Sequence, residues 1–356
     1  MSTKALVTVI IPTHNHNETL PYSVRSVLEQ TIADLQIVII GDGVTEEVRT
    51  EAERLCARDS RVTFQDQQKT ARRGELLRDT VIRDSSSRFI AYNCDDDLWF
   101  PQHLETLINL IGEHHFAHPL PILIGADGVP FFMPSDLQRL ESVQWHLSET
   151  PRNTISLSGV MHTRDAYLRL PYGWRETPPG RWTDHYMWQQ FFEQEWFSGI
   201  TSSESTTLKL MAQGRDDAAP GERRADIEKW WNRLHDPSFV DEWELLVHDA
   251  MWKSAVDHNL VSTFREDEIK ALRKQIEEMC KELLSITQTH TNEISQLNKQ
   301  LNSVHESLGQ SHAQQERLRT RISQLRQQLD SVYESRSWKI TKPLRDLRRS
   351  RTRIED

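Results

Sequence analysis

Hydrophobic and polar positions in the first hundred residues follow two alternating periods. Short β-branched runs, such as residues 7–12 (VTVIIP) and 35–40 (LQIVII), are typical of buried strands. Between these runs, Leu20, Val24 and Leu28 fall on one face of a predicted helix. Further helices are predicted over 46–58 and 73–83, and further strands over 62–64 and 88–92. This alternation predicts βαβ units, and therefore an α/β domain with a mostly parallel sheet.

Three loops follow the carboxyl ends of the predicted strands, at residues 13–17, 41–45 and 93–99. In open α/β sheets the ligand binds at this edge, so we expect the functional site there. A strand predicted over 154–161 and an aromatic-rich helix beginning near Asp184 complete the domain. This later part is expected to receive a second substrate.

The pattern changes after residue 211. Residues 212–224 (AQGRDDAAPGERR) are small or charged, which favours a linker. A helical segment follows and is expected to pack back on the first domain through Trp230, Trp231, Trp243 and Trp252. We therefore predict a first domain over 1–211, a linker and Trp-rich helical segment over 212–262, an all-α coiled coil over 263–335 and a basic amphipathic tail over 336–356.

Apolar side chains recur at alternating spacings of three and four throughout the predicted coiled coil, which is a heptad repeat. The register contains a stutter at His290 and a polar layer at Ser311 and Gln315. A seam of this length predicts a homo-oligomer, and the alternative is a single solvated helix. The seam consists of Ile269, Leu272, Ile276, Met279, Leu283, Ile286, Ile294, Leu297, Leu301, Val304, Leu308, Leu318, Ile322, Leu325, Leu329 and Val332.

Charge is distributed unevenly along the chain. The formal net charge is -10, which argues against nucleic acid as a partner. Residues 336–353 nevertheless hold eight Lys and Arg against one Asp. Ile340, Leu344 and Leu347 share a helical face among these charges, which favours contact with an anionic membrane surface. The alternative is a solvated tail that caps the coiled coil.

Apolar runs and cysteines restrict the class of protein. The longest apolar runs, 6–11 and 35–40, are far shorter than the roughly 20 residues of a membrane-spanning helix. Cys56, Cys94 and Cys280 form no ligand-like pair, so neither a disulfide framework nor a cysteine zinc site is predicted. We expect a cytoplasmic protein, at most peripheral at the inner face of the cell membrane.

Three adjacent carboxylates, Asp95, Asp96 and Asp97, follow the strand predicted over 88–92. Adjacent carboxylates repel one another unless a cation neutralises them. Mg²⁺ and Mn²⁺ accept a few carboxylates together with the oxygens of a bound diphosphate. The acidic segment therefore predicts a metal–diphosphate site. The alternative is a solvated acidic turn that caps the helix after Pro101.

Four blocks in order resemble the family-two glycosyltransferases, which have the GT-A fold. They are VTVIIPTHNHNETLPYSVRSVLEQT, IVIIGDGVTEE, ARRGELLRDTVIRDSSSRFIAYNCDDDLWFP and SGVMHTRDAYLRLPYGWRETPPGRWTDHYMWQQFF. The resemblance covers roughly residues 5–211. It implies a Rossmann-like GT-A catalytic domain ahead of the coiled coil, and a metal-dependent glycosyltransferase of the hexosyltransferase type.

The resemblance also implies roles for individual residues. Asp184 matches the catalytic base, although an aspartate in the first turn of a helix is also favoured by the helix dipole alone. The residues implied to bind the nucleotide sugar are Pro12, Thr13, Asn15, Asp42, Arg78, Asp95 and Asp96, with Arg78 near the phosphates. The implied metal motif is Asp95, Asp96 and Asp97, with either Asp95 and Asp97 or Asp96 and Asp97 as the ligand pair.

Two residues depart from the family pattern. Gly41 stands where many members have another aspartate, and Cys94 stands where many have the first acid of the metal motif. Of the aromatic residues near Asp184, as many as half are expected to be core and the others to stack on sugar rings. These four residues are Trp174, Trp182, Tyr186 and Trp188.

The implied function is inverting transfer of a sugar from a nucleoside-diphosphate sugar to a hydroxyl group. The expected acceptor is a glycan or lipid-linked glycan in bacterial surface polysaccharide synthesis, and the expected cofactor is Mg²⁺ or Mn²⁺. The alternative is a non-catalytic coiled-coil scaffold with a degenerate sugar-nucleotide-binding domain, which the departures at Gly41 and Cys94 keep open.

Overall fold

The computed structural model describes residues 5–148, 153–210 and 220–334. The chain divides into two compact units, Met1–Val261 and Ser262–Asp356. The first unit contains two β-sheets, and the second contains the greater part of one long helix. The two units are described separately below.

The larger sheet of the first unit has seven strands in the order β10-β6-β9-β4-β1-β2-β3. Only β9 runs antiparallel to its neighbours, and all other pairs are parallel. The predicted α/β domain with a mostly parallel sheet is therefore confirmed. The strands are β1 (Val7–Thr13), β2 (Leu35–Asp42), β3 (Val62–Gln67), β4 (Phe89–Tyr92), β6 (Phe116–His118), β9 (Met161–Thr163) and β10 (Gly199–Thr201).

The smaller sheet has four strands in the order β5-β11-β7-β8. Its strands are β5 (Leu98–Trp99), β7 (Ile122–Ile124), β8 (Pro130–Phe132) and β11 (Thr207–Leu210). Because β5 begins directly after the acidic segment, pairing of β5 with β11 brings residues near position 209 beside the three aspartates.

Nine helices are present in the described residues. They are α1 (Leu20–Leu28), α2 (Glu46–Arg58), α3 (Glu75–Asp84), α4 (His103–Ile111), α5 (Leu140–His146), α6 (Arg164–Leu168), α7 (Thr183–Phe192), α8 (Pro220–Leu234) and α9 (Phe239–Glu334). The helix predicted over 46–58 matches α2 at both ends. Thr45 caps α2, and its side chain accepts a hydrogen bond from the Val48 N–H group.

The larger sheet is buried on both faces. Val7, Val9 and Ile11 of β1 belong to a cluster that includes residues of α1, α2 and α4. Ile10, between them in sequence, belongs to a second cluster with residues of α3 and α7. Successive side chains of a strand point to opposite faces, so burial on both faces requires the continuous apolar run seen in the sequence.

Two predicted elements were wrong in part. The strand predicted over 154–161 begins only at Met161, because the chain turns at Gly159, which has a φ of +89°. Ser156 also donates a hydrogen bond to the Ser158 carbonyl at 3.1 Å within this loop. The linker predicted over 212–224 is wrong at its end, since residues 220–224 form the start of α8, and residues 212–219 lie outside the described part.

The Trp-rich segment packs against the smaller sheet, as predicted for three of its four tryptophans. Trp230, Trp231 and Trp243 are buried in a cluster with Leu98 and Leu208 of that sheet. The prediction was wrong for Trp252, which is 64% exposed. This part of the chain therefore belongs to the first compact unit.

The described residues of the second unit, 262–334, are helical, which agrees with the heptad pattern, but the seam is exposed in the single chain. Every seam residue is between 45% and 62% exposed. The coiled coil therefore stays a prediction. The basic tail predicted over 336–356 lies outside the described residues. Within the described ranges, no helix combines the length and apolar character needed to cross a membrane.

Candidate active site

The acidic segment follows β4 at the carboxyl edge of the larger sheet, and its last residue is fully buried. Asp97 Oδ1 accepts a hydrogen bond from the Leu210 N–H group at 2.9 Å. Asp97 Oδ2 accepts a hydrogen bond from the Ser158 hydroxyl group and lies 2.9 Å from Lys209 Nζ. Asp97 therefore joins the acidic segment to β11 and to the loop before β9.

Lys209 is a cation built into this site. Its side chain is 17% exposed and stands on β11. Burial by itself would lower the pKa of the Lys209 ammonium group, but the negative charges of Asp97 and Asp96 outweigh burial and raise that pKa. Lys209 therefore stays protonated and neutralises part of the acidic segment.

The arrangement of the acidic segment fits a divalent cation. The possible ligand atoms of Cys94, Asp96 and Asp97 all lie within 4.8 Å of one another. Burial raises the pKa of the Cys94 thiol, so that group is neutral in the free protein. Asp96 is partly buried, and none of the described residues donates a hydrogen bond to its carboxylate. One or two carboxylates with diphosphate oxygens suit Mg²⁺ or Mn²⁺.

Of the two ligand pairs left open by the sequence, this grouping favours Asp96 with Asp97. Asp95 is not part of the group, and its Oδ1 atom instead accepts a hydrogen bond from His16 Nδ1 at 3.0 Å. The structure thus brings together two of the three predicted metal ligands and directs the third toward the loop after β1.

Asp42 is the last residue of β2, and its carboxylate binds residues of the loop that precedes α3. Its Oδ1 atom accepts a hydrogen bond from the Thr70 N–H group at 2.6 Å, and its Oδ2 atom pairs with Lys69. Burial works to raise the pKa of the Asp42 carboxyl, but these bonds outweigh burial and lower that pKa. Asp42 is therefore a charged group that fixes this loop beside the predicted nucleotide pocket.

The departure at Gly41 has a packing cause. A Cβ atom at position 41 would lie 2.9 Å from the ring of Phe64 and 3.0 Å from Val44. An aspartate at this position would require Phe64 on the neighbouring strand to move.

The three other residues predicted around the nucleotide differ in exposure. Pro12 is partly buried and Thr13 is buried at the end of β1, whereas Asn15 is exposed in the loop that follows. Thr13 Oγ1 is buried without a hydrogen-bond partner among the described residues. A buried hydroxyl without a partner costs free energy, so Thr13 is a candidate to bind a ligand.

Arg78 on α3 is the second buried cation near the acidic segment. It is 4% exposed, and its Cζ atom lies 4.8 Å from the centre of the Trp174 ring. Its Nε and Nη1 atoms are buried and have no hydrogen-bond partner among the described residues. Burial lowers the pKa of Arg78, and the charges of Glu75 and Asp184 oppose this shift. A buried guanidinium group without partners requires an anion.

Asp184 lies in the first turn of α7, as predicted, and only one of its two carboxylate oxygens accepts hydrogen bonds from described residues. Oδ1 accepts hydrogen bonds from Asn153 Nδ2 at 2.9 Å and from the His185 N–H group at 2.8 Å. No described residue donates to Oδ2. Burial raises the pKa of the Asp184 carboxyl. These properties suit a carboxylate that accepts a proton from a substrate.

The aromatic residues near Asp184 divide evenly between core and surface. Trp174 and Trp188 are 2% and 0% exposed and belong to the core. Trp182 is 52% exposed, and Tyr186 is partly exposed. The expectation that half of this group is core is therefore confirmed, and only Trp182 and Tyr186 are available to a ligand.

The sequence comparison relates part of the first unit to a known family. Residues 8–171 match the model of the family described as glycosyl transferase family 2. This segment therefore resembles the family 2 glycosyl transferases. Together with the mostly parallel sheet, the match confirms the expected GT-A type of fold.

Two curated relatives match this chain over 112 residues each, which is 32% of its length. One is an uncharacterized glycosyltransferase of Rickettsia bellii, with 32% identity over 16% of its length. The other is the UDP-Glc:alpha-D-GlcNAc-diphosphoundecaprenol beta-1,3-glucosyltransferase WfgD of Escherichia coli, with 31% identity over 43% of its length. The matched segment thus spans less than half of either relative.

Solved structures also resemble the chain at low identity. Residues 1–349 of S. aureus TarS align with 65% of this chain and 72% of that chain, at 12% identity and a TM-score of 0.45. A mannosyltransferase of Pyrobaculum calidifontis, PcManGT, solved with GDP-Man and Mn2+, aligns with 70% and 76% at 14% identity and a TM-score of 0.40. Values this low transfer no function.

Sequence reasoning missed three side chains that contact the acidic segment. His16 holds Asp95, while Ser158 and Lys209 hold Asp97. Lys209 had one usable signal, since it is a lone charge in the apolar strand TLKL. His16 and Ser158 had none, because both lie in loops whose partners are distant in sequence.

Proposed function

We propose that this chain is an inverting glycosyltransferase that moves a sugar from a nucleoside-diphosphate sugar to a hydroxyl group of a glycan acceptor. The observation that carries the proposal is Arg78. Its Nε and Nη1 atoms are buried without a hydrogen-bond partner among the described residues, and its pKa responds to the charge of Asp184. A donor diphosphate would supply the missing anion.

On the donor side, Arg78 binds the diphosphate and stabilises the charge that develops on it as the sugar leaves. Asp96 and Asp97 are the residues that would hold Mg²⁺ or Mn²⁺, which acts as a Lewis acid toward the leaving diphosphate. Thr13, with its unpartnered hydroxyl group, faces the donor together with the exposed Asn15 and the partly buried Pro12. Asp42 fixes the neighbouring loop.

On the acceptor side, the unbound Oδ2 atom of Asp184 removes the proton from the attacking hydroxyl group. The hydrogen bonds from Asn153 and His185 to Oδ1 fix the orientation of the carboxylate. Direct attack from the face opposite the diphosphate inverts the anomeric centre. Trp182 and Tyr186 flank Asp184 in sequence and supply aromatic surface for a sugar ring.

The acceptor class is proposed from a relative. The name of the E. coli enzyme specifies a UDP-Glc donor and a GlcNAc-diphosphoundecaprenol acceptor. We carry over to this chain a lipid-linked glycan acceptor in bacterial surface polysaccharide synthesis. Such an acceptor requires access to the membrane surface from the cytoplasmic side. Contact through residues 336–356 would supply this access and stays a prediction.

A donor screen tests the catalytic proposal against the scaffold alternative. We expect one member of a panel of UDP-, GDP- and dTDP-sugars to raise the unfolding temperature in the presence of Mn²⁺. At a concentration of about 100 Kd, binding stabilises the folded state by about 2.7 kcal/mol. Slow hydrolysis of the same donor should require Mn²⁺ and stop with EDTA.

The variant Arg78→Met controls the donor screen, because it removes the guanidinium group and retains an unbranched apolar side chain. We expect the variant to lose the donor-induced shift. If no donor binds or is hydrolysed by the unmodified protein, the catalytic proposal is wrong and the scaffold alternative is favoured.

For the seam of the second unit, we propose that a second copy of the chain covers it. The double change Leu297→Asp and Leu301→Asp should then convert the oligomer to monomer, because two charges enter a buried interface. The matched control, Ser295→Asp and Asn302→Asp, adds the same charge outside the seam and should leave the mass unchanged. Sedimentation equilibrium measures this, and a monomeric unmodified protein would contradict the proposal.

A further inference from the structure

Helix α8 is attached to helix α1 by several side-chain contacts. The Trp231 ring lies 5.7 Å from the Tyr22 ring, and the Arg25 Cζ atom lies 4.5 Å from the Trp231 ring centre. At the far end of α8, His235 Nε2 lies 2.9 Å from the Glu29 carboxylate. These contacts fix α8 beside the loop that connects β1 and α1.

In this position, Arg223 in the first turns of α8 reaches the donor side of the site. Its Nη1 atom donates a hydrogen bond to His16 Nε2. His16 Nδ1 in turn lies 3.0 Å from Asp95 Oδ1. In the neutral imidazole, Nε2 can accept from the guanidinium group while Nδ1 carries the proton that is donated to Asp95. A hydrogen-bonded chain therefore runs from α8 to the acidic segment.

The chain of hydrogen bonds fixes two parts of the predicted donor site at once. His16 belongs to the loop after β1, which also contains Asn15, and Asp95 precedes the metal-binding candidate Asp96. Without Arg223, His16 would be free to change tautomer or rotate, and both the loop and Asp95 would lose an anchor.

We infer that Arg223 is a positioning residue for the donor: it orients His16 and Asp95 so that the site binds a nucleoside diphosphate. The inference rests on the proposed function. It places a determinant of donor affinity outside residues 8–171, the part that matches the family. Arg223 acts through His16, so it should affect donor binding more than the rate of the chemical step.

The test measures the binding of UDP, GDP and dTDP with Mn²⁺ by isothermal titration calorimetry, and uses whichever nucleotide the unmodified protein binds. Arg223→Ala should weaken this binding about tenfold, the range expected for loss of one charge-assisted hydrogen bond. The KM for the matching sugar donor should rise similarly, with kcat nearly unchanged. Arg223→Lys should recover part of the affinity, since Lys can donate to Nε2.

The matched control is Arg224→Ala. Arg224 is the next residue, is exposed, and forms only a loose pair with Glu228 at 3.9 Å among the interactions of the described residues. This change should leave nucleotide affinity unaltered. Adding His16→Ala to Arg223→Ala should lower nucleotide affinity little more than either single change does. Both residues act through the same series of hydrogen bonds to Asp95.

The outcomes separate this inference from the proposed function. If the unmodified protein binds none of the three nucleotides, the proposed function fails. If it binds one and Arg223→Ala binds it equally well, the inference is overturned and the proposed function stands. Additive losses in the double variant would also overturn it. Thermal unfolding of each variant shows whether it is folded. If Arg223→Ala does not fold, the nucleotide affinity of Arg223→Lys is compared with that of the unmodified protein instead.

Discussion

Replacement of Asp184 with Asn should abolish sugar transfer and leave donor binding almost unchanged. The Asn side chain has the same shape and can still accept the bonds from Asn153 and His185 through Oδ1. The second oxygen, which would remove the proton of the acceptor, is replaced by an amide group that cannot do so. Loss of a general base lowers kcat by about 10²- to 10⁴-fold, which a radiolabelled transfer assay measures.

Asp165→Asn is the matched control. Asp165 is also an aspartate in the first turn of a helix, α6, but it is exposed. If Asp184 only complements a helix dipole, both changes should have the same small effect. A fully active Asp184→Asn variant would show that Asp184 is not the base.

The pH dependence of kcat gives an independent check on Asp184. A base must be deprotonated to act, so the rate falls as the pH drops through its pKa. Burial raises the pKa of Asp184 above the ordinary 3.8 of an aspartate. The acidic limb of the unmodified enzyme should therefore lie at a higher pH than that of an ordinary aspartate. The residual activity of Asp184→Asn should lack this limb.

Replacement of Lys209 with Met should destabilise the first compact unit strongly. Asp97 is fully buried, and Lys209 is its only cationic partner at ion-pair distance among the described residues. Removing one member of a buried ion pair leaves an uncompensated charge, at a cost of about 3–5 kcal/mol in the free energy of unfolding. Urea unfolding followed by tryptophan fluorescence measures this loss, because most of the tryptophans lie in the first unit.

Two further variants test the cause of the destabilisation. Lys253→Met removes an exposed lysine that pairs with Asp249 at 2.6 Å, and should change stability by less than about 1 kcal/mol. Lys209→Met combined with Asp97→Asn removes both charges, and should recover part of the loss. If the double variant is no more stable than Lys209→Met, the buried charge is not the cause.

The local sequence predicted which residues of the candidate site follow the ends of strands. The acidic segment was placed correctly because a short apolar run ahead of it predicts a buried strand, and ligand loops follow the carboxyl ends of such strands. The first-turn position of Asp184 was also correct. The roles of these residues stay predictions until the donor screen and the variants are measured.

The strand predicted over 154–161 failed for a reason that periodicity does not contain. The chain turns at Gly159, and the Ser158 hydroxyl group beside it donates to Asp97. The hydrogen bond to a distant carboxylate outweighs local strand propensity at this position.

What the sequence by itself determined is the order of strands and helices in the first hundred residues, the acidic segment at a strand end, and the apolar seam of α9. These follow from side-chain periodicity, which depends only on neighbours along the chain. Tertiary structure alone decided the partners of the site: Lys209 against Asp97, and Arg223 against His16, 207 residues away in sequence. Such partners depend on how distant elements pack, because a buried charge takes whichever counter-charge the fold brings within reach.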